Sequence, residues 1–268
     1  MLIKALTASA LCLAACAASA QDGFDVPVTA DVLPGWVQKD GTRMAALRLS
    51  LAPGWKTYWR APGDAGIPPK FDWSKARNLS SVAVIWPAPK VFDQNGMRSV
   101  GYEGELVIPL EINPAESDAP VRLRADMELG VCSDICIPHA LSFDLEIGDR
   151  DTRPTPAIVA ALAQQPYSAE EAGVRDAECN VSPTSDGLQI EARVTMPSAG
   201  NPEHVVIEPG PGDIWVSEAD TKRLGGEIVA TSDMVHVSGG PIALDRSAIR
   251  ITVLGSKYAV DIRGCHPG

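Results

Sequence analysis

Basic residues are scarce in this chain: 23 Lys and Arg stand against 34 Asp and Glu, a formal net charge of −11. That balance offers no basic face on which to hold nucleic acid or an anionic membrane. Long apolar runs are missing too. After residue 20, no stretch approaches the ~18 apolar residues that a transmembrane helix needs. No internal repeat is evident. Core-forming material, by contrast, is plentiful. Of the 268 residues, 45% are apolar and 21% charged, so a packed core is expected, and the length suits one large domain or two of ordinary size. Gly (23) and Pro (22) are abundant, which favours many short strands over long helices.

Residues 1–20 read as a secretory signal. Lys4 gives the positive start, an apolar run over 5–15 is too short to span a bilayer, and Ala18-Ser19-Ala20 precedes a cut at Gln21. Leu13-Ala14-Ala15-Cys16 also fits a bacterial lipoprotein box, so membrane attachment is expected only if Cys16 is lipidated. Either way the expected location is the periplasm. Cys12 and Cys16 belong to the signal region. Cys132, Cys136, Cys179 and Cys265 remain, an even count that in an oxidising compartment suggests two disulfides. The short spacing of the first two favours the pairing 132–136 with 179–265.

Leu47, Leu49 and Leu51 alternate, as do Leu106, Ile108, Leu110 and Ile112. Period two marks half-buried antiparallel strands, and short strands between Gly/Pro turns suggest a β-sandwich. Segment 149–176 differs. Pro154 and Pro156 open it and 157–163 is a good helix former without alternation. Strand signals resume at 188–194, 204–207, 226–230 and 249–253. The expected map is all-β: a signal over 1–20, a first β domain over 21–148, a linker with a short helix over 149–176, and a second β-sandwich over 177–268. Cys179 opens that second domain and Cys265 closes it, so a bond between them would be a structural staple.

The informative stretch is 121–147. Val121, Leu123, Ala125, Met127, Leu129 and Val131 alternate with polar residues, and so do Leu141, Phe143, Leu145 and Ile147. Between them lies Val131-Cys132-Ser133-Asp134-Ile135-Cys136-Ile137-Pro138. A Cys-x-x-x-Cys pair meets on one helix face or across a three-residue hairpin loop. Along one extended strand it lies ~13 Å apart, beyond disulfide reach. Pro138 disfavours a helix at Ile137, and both flanks alternate as strands, so a hairpin is expected. A disulfide closing so small a loop restricts the unfolded chain little, and an exposed one exchanges readily. No Lys or Arg lies within the loop to lower a thiol pKa, and Asp134 would raise one. Three roles stand: redox exchange, a structural clip, or a soft Cu(I) site formed by Cys132, Cys136 and His139. His204, His236 and His266 are isolated from one another and carry no assignment. Asp64 fits turn chemistry as well as function.

Three motifs occur in the order seen in one family: Gly54-Trp55-Lys56-Thr57-Tyr58-Trp59-Arg60-Ala61-Pro62-Gly63-Asp64-Ala65-Gly66, then Val100-Gly101-Tyr102-Glu103-Gly104-Glu105-Leu106, then the dicysteine segment. The chain resembles the periplasmic N-terminal domain of the DsbD thiol:disulfide interchange proteins, most closely the ScsB branch associated with suppression of copper sensitivity. The resemblance implies an immunoglobulin-like fold with two redox cysteines on a β-hairpin. It implies electron transfer to or from periplasmic thioredoxin-like partners, with no bound cofactor. The sequence ends at Gly268 without the membrane and thioredoxin-like domains that follow in the family, so a separate membrane electron donor is expected. By position Cys136 forms the mixed disulfide and Cys132 resolves it. A cap loop in the family shields the cysteines. Its counterpart here is 92–99, with Phe92 or Met97 over the sulfurs and Tyr58 and Tyr102 as walls.

Overall fold

The computed structural model describes residues 27–268 except 95–96, 149–151 and 211–212. The expected signal, with Cys12 and Cys16, lies outside the described residues. The first half contains β1 (Val28–Val37), β2 (Arg43–Leu51), β3 (Lys56–Tyr58), β4 (Lys70–Asp72), β5 (Leu79–Val84), β6 (Lys90–Gln94), β7 (Met97–Glu103), β8 (Glu105–Pro114), β9 (Val121–Cys132) and β10 (Cys136–Ile147). One sheet has the order β1-β2-β8-β5. Facing it is a six-stranded sheet of order β10-β9-β3-β7-β6, with β4 also paired to β9. Alternation decides what each strand buries. Leu47, Leu49, Ile108, Leu110 and Ile112 of one sheet meet Leu123, Met127, Leu129 and Val131 of the other, all at most 2% exposed. Deep in this end Arg43 is buried among apolar neighbours. Its guanidinium donates to the carbonyls of Ile147, Ser117 and Ala119, which fastens the far end of β10 to the β8–β9 connection.

The helix α1 (Pro156–Leu162) does not float in a linker. Ile158 is fully buried against Met44 and Ala46, on the outer face of the first sheet. The Thr155 hydroxyl donates to the Pro34 carbonyl at 2.7 Å.

Beyond it come β11 (Tyr167–Ser168), β12 (Asp176–Pro183), β13 (Leu188–Thr195), β14 (Glu203–Glu208), β15 (Ile214–Val216), β16 (Asp220–Leu224), β17 (Glu227–His236), β18 (Arg250–Gly255) and β19 (Ala259–Arg263). They form a sheet of order β11-β19-β18-β14 and another of order β12-β13-β17-β15, with β16 also on β17. Their own apolar cluster contains Ile190, Val194, Ile228, Ile251 and Val253. The fold is thus all-β, built of immunoglobulin-like sandwiches. Within the stretch read as linker, β11 pairs in parallel with β19, so residues 167–168 are already part of the second sandwich. The two-residue strand left no period in the sequence to detect. Among the described residues no helix is long and apolar enough to cross a membrane.

The two halves share an interface with an apolar centre and a charged rim. Leu254 and Ala259 belong to the first half's cluster, with Val206 packed against it. Around them, Arg60 grips Glu208 with two hydrogen bonds of 3.0 and 2.9 Å, Arg98 pairs with Glu218, and the Glu218 backbone N–H donates to Asp64 at 3.2 Å. Arg98 also donates to Nδ1 of His204 at 2.7 Å. Burial, and then the Arg98 charge, hold the His204 imidazole below its ordinary value of 6.5, with Asp93 opposing in part. The sign follows from linkage: the unfolded chain takes up this proton near pH 6.5 and the folded protein resists it, so stability is lost as pH falls below about 6.5. Thermal unfolding between pH 7 and 5 should show a steeper fall for the wild type than for His204→Gln.

Candidate functional site

The hairpin tip is where the sequence places chemistry. Cys132 ends β9 and Cys136 begins β10, as direct cross-strand partners. Their Cα atoms are 4.1 Å apart and their sulfurs are bonded. A non-hydrogen-bonded antiparallel pair brings Cα atoms to about 4.5 Å, so register alone sets the sulfurs in reach. Ser133-Asp134-Ile135 closes the turn, with the Ser133 N–H donating to the Ile135 carbonyl at 3.0 Å. Pro138 is accommodated because β10 is the sheet's edge and its missing N–H is not needed there.

The same topology makes the two sulfurs unequal. β9 lies between β10 and β3, and Cys132 is 1% exposed. Cys136, on the edge, is exposed. Beside it Ile135 is 65% exposed, a large apolar side chain at the very tip.

Tyr58 provides the polar contact to both sulfurs. Its hydroxyl lies 2.9 Å from Cys132 Sγ and 3.3 Å from Cys136 Sγ. Burial pushes the phenol above its usual value, so it keeps its proton and donates. Two glycines seat the ring: a Cβ on Gly130 would come within 3.1 Å of Tyr58 Cδ2 and 2.7 Å of Ile67 Cβ, and one on Gly66 within 2.9 Å of Tyr58 Cδ1. The β3–β4 segment, 59–69, therefore lies over this face. Its Ala65 carbonyl also accepts from the Tyr58 hydroxyl, at 3.4 Å. A donor at this position favours a thiolate over a thiol. Tyr58→Phe should move the pH of half-maximal cysteine labelling in the reduced protein up by about one unit. An unchanged pH profile would remove Tyr58 from the site.

Of the other expected walls, Tyr102 lies elsewhere. Tyr102 pairs with Thr57 and faces the core, its hydroxyl donating to the Pro87 carbonyl at 2.7 Å and its ring stacked on Trp86. The described residues of 92–99 form the β6–β7 hairpin; residues 95–96, at its tip, lie outside the described residues. β6 is three strands from β9, about 14 Å at 4.7–4.9 Å per strand. Phe92 packs against the Lys56 ammonium, 5.1 Å from ring centre to Nζ, and Met97 is 60% exposed. Cover on this face comes from 59–69, with Tyr58 and Ile67. His139 pairs with Leu129, three residues from Cys136 and so on the opposite face of β10. The trio Cys132, Cys136 and His139 is not brought together, and among the described residues no cluster of three metal-ligating side chains occurs.

Lys56 was missed by sequence reasoning, which looked for a cation only inside the loop. It is the cross-strand neighbour of Cys132, donates to the Ser99 hydroxyl at 3.2 Å, and burial lowers its pKa. Cys179 and Cys265 are also bonded, with Cα atoms 5.7 Å apart and Cys179 fully buried.

What this face can do chemically is exchange one disulfide for another, which places the first sandwich among thiol:disulfide interchange modules. Residues 26–145 match the family model described as "Thiol:disulfide interchange protein DsbD, N-terminal". Among solved structures, the N-terminal periplasmic domain of ScsB from Proteus mirabilis is 24% identical, covering 90% of this chain and 93% of that one at a TM-score of 0.66. That likeness is one of fold and extends over both sandwiches. The N-terminal domain of Neisseria meningitidis DsbD, in its reduced form, is 18% identical over 47% of this chain and 90% of that one. Its TM-score of 0.28 carries no structural argument. A search of curated proteins finds no match.

Proposed function

We propose that the chain is a periplasmic dithiol/disulfide relay, passing electrons through Cys132 and Cys136 to thioredoxin-like partners. The observation that carries this is the asymmetry of the pair: an exposed edge sulfur, Cys136, bonded to a covered one, Cys132, with a tyrosine hydroxyl on both. The family match over 26–145 supports the same chemistry.

In the reduced protein, the Cys136 thiolate attacks one sulfur of a partner's disulfide. A Cys136–partner bond forms, and the partner's other sulfur leaves as a thiolate. Cys132, as thiolate, then attacks Cys136 and expels the partner's second thiolate. Two electrons have moved to the partner, and the Cys132–Cys136 disulfide is restored. Covering Cys132 leaves a single entry point for the first attack. Ile135 and Ile67, both exposed beside the sulfurs, provide a small apolar contact suited to transient docking. A further turnover requires an electron donor that returns the pair to the dithiol.

The reduction potential of the Cys132–Cys136 couple tests this reading. A relay disulfide should equilibrate with glutathione buffers at a potential above about −300 mV. A value well below that would make the bond a structural clip and end the relay reading.

A further inference from the structure

The second sandwich has no part in the sulfur chemistry described so far, yet its charged groups reach the segment that covers the site. Segment 59–69 seats the Tyr58 ring through Gly66 and Ile67 and shares the Tyr58 hydroxyl through Ala65. At the root of that segment, Arg60 is held by Glu208 through two hydrogen bonds, with both side chains less than a quarter exposed, and its guanidinium stacks 3.8 Å from the Trp59 ring. At its turn, Asp64 accepts the Glu218 N–H. Glu218 also pairs through its carboxylate with Arg98, whose strand receives the covering segment: the Val100 N–H donates to the Pro62 carbonyl at 2.9 Å. Between these contacts lies a cavity of ≈430 Å³ lined by Arg60, Asp64, Arg98, Glu208 and Trp215. Neither redox cysteine lines it. The cover therefore bridges open space and rests on the second sandwich at two points.

We propose that the second sandwich is a brace for the redox site: Glu208 and Glu218 hold segment 59–69 down, and through it keep Tyr58 on the sulfurs and Cys132 covered. Both are positioning residues, since neither reaches the sulfurs. Two features make the arrangement work as a brace. The interface has an apolar centre in Leu254, Ala259 and Val206, which resists the relative motion that small polar interfaces allow. The ionic grips are partly buried, so solvent screens them less than surface pairs. Loosening a grip should raise the population of the open cover without unfolding either sandwich.

The brace rests on the relay reading for its purpose, but its test needs no partner. The full chain, with Cys132 and Cys136 reduced and Cys179–Cys265 intact, is alkylated with iodoacetamide, and each cysteine is followed by peptide mass spectrometry. Cys132 reacts only when the cover opens, whereas Cys136 is exposed throughout and serves as an internal control. In Glu208→Gln, labelling of Cys132 should rise about tenfold over wild type while Cys136 changes less than about twofold. Asp64→Ala removes the exposed acceptor of the Glu218 N–H and should raise Cys132 labelling about threefold. Cys132 labelling unchanged in both variants overturns the brace. So does an equal acceleration at both cysteines, which reports general loosening. Failure here while the wild type still forms mixed disulfides with partners removes the brace alone. Absence of mixed disulfides removes the relay and leaves the labelling result standing.

Discussion

Replacing Cys136 by Ser should abolish exchange with oxidised thioredoxin-like proteins, by at least about a thousandfold, because a serine hydroxyl does not ionise near neutral pH and is no substitute for a thiolate. Replacing Cys132 by Ser should do something different. Cys136 is exposed at the edge of the sheet, so attack on the partner still proceeds, but no second thiol is present to release it. Mixed disulfides should then accumulate and be visible on non-reducing gels of periplasmic extract. The asymmetry is the point of the measurement. If instead Cys136→Ser traps partners and Cys132→Ser does not, the roles are reversed and the burial of Cys132 does not set them. If neither variant traps a thioredoxin-like protein, the relay reading fails.

Removing the other disulfide should act on stability rather than chemistry. Cys179 and Cys265 are 86 positions apart and tie the start of β12 to the segment after β19. The His266 N–H donates to the Ala177 carbonyl at 3.1 Å, and the Cys179 N–H to the His266 carbonyl at 2.8 Å. Cross-linking a loop of that length costs the unfolded chain about 4–5 kcal/mol of conformational freedom in the chain-entropy model. For a sandwich of this size, Cys179→Ala with Cys265→Ala should lower the second sandwich's unfolding midpoint by about 20 °C. Calorimetry checks this. Labelling of Cys136 at 25 °C should stay within about twofold of wild type, because β9 and β10 do not contain the staple. A midpoint shift of only a few degrees would mean that the unfolded chain is already held compact without the bond.

Local pattern made much of the first sandwich legible. The strict alternation of β9 and β10 and the Pro138 constraint require two strands with the cysteines at their junction, and the structure is built that way. The assignment of aromatic walls was not legible, and the reason is parity. Tyr58 and Tyr102 look alike in sequence. Tyr102 lies opposite Thr57 in the β3–β7 register, one residue away from Tyr58, so the two rings face opposite sides of the sheet. The family resemblance puts a cap on 92–99. Its described residues form the β6–β7 hairpin, while 59–69 lies over this face because Gly130 and Gly66 leave room for the Tyr58 ring. The pairings of Arg60, Asp64 and Arg98 left no sequence signal, since their partners lie 148, 154 and 106 residues along the chain.

The strand period, the hairpin and the cysteines at its tip are legible in residue order alone, because they follow from the chemistry of adjacent residues: side-chain alternation, turn formers and a proline. Which of the two sulfurs is covered, what covers it and what holds the cover were decided only by tertiary structure. They depend on strand order, which leaves β10 at an edge and β9 inside, and on contacts between segments more than sixty residues apart. No local pattern encodes those.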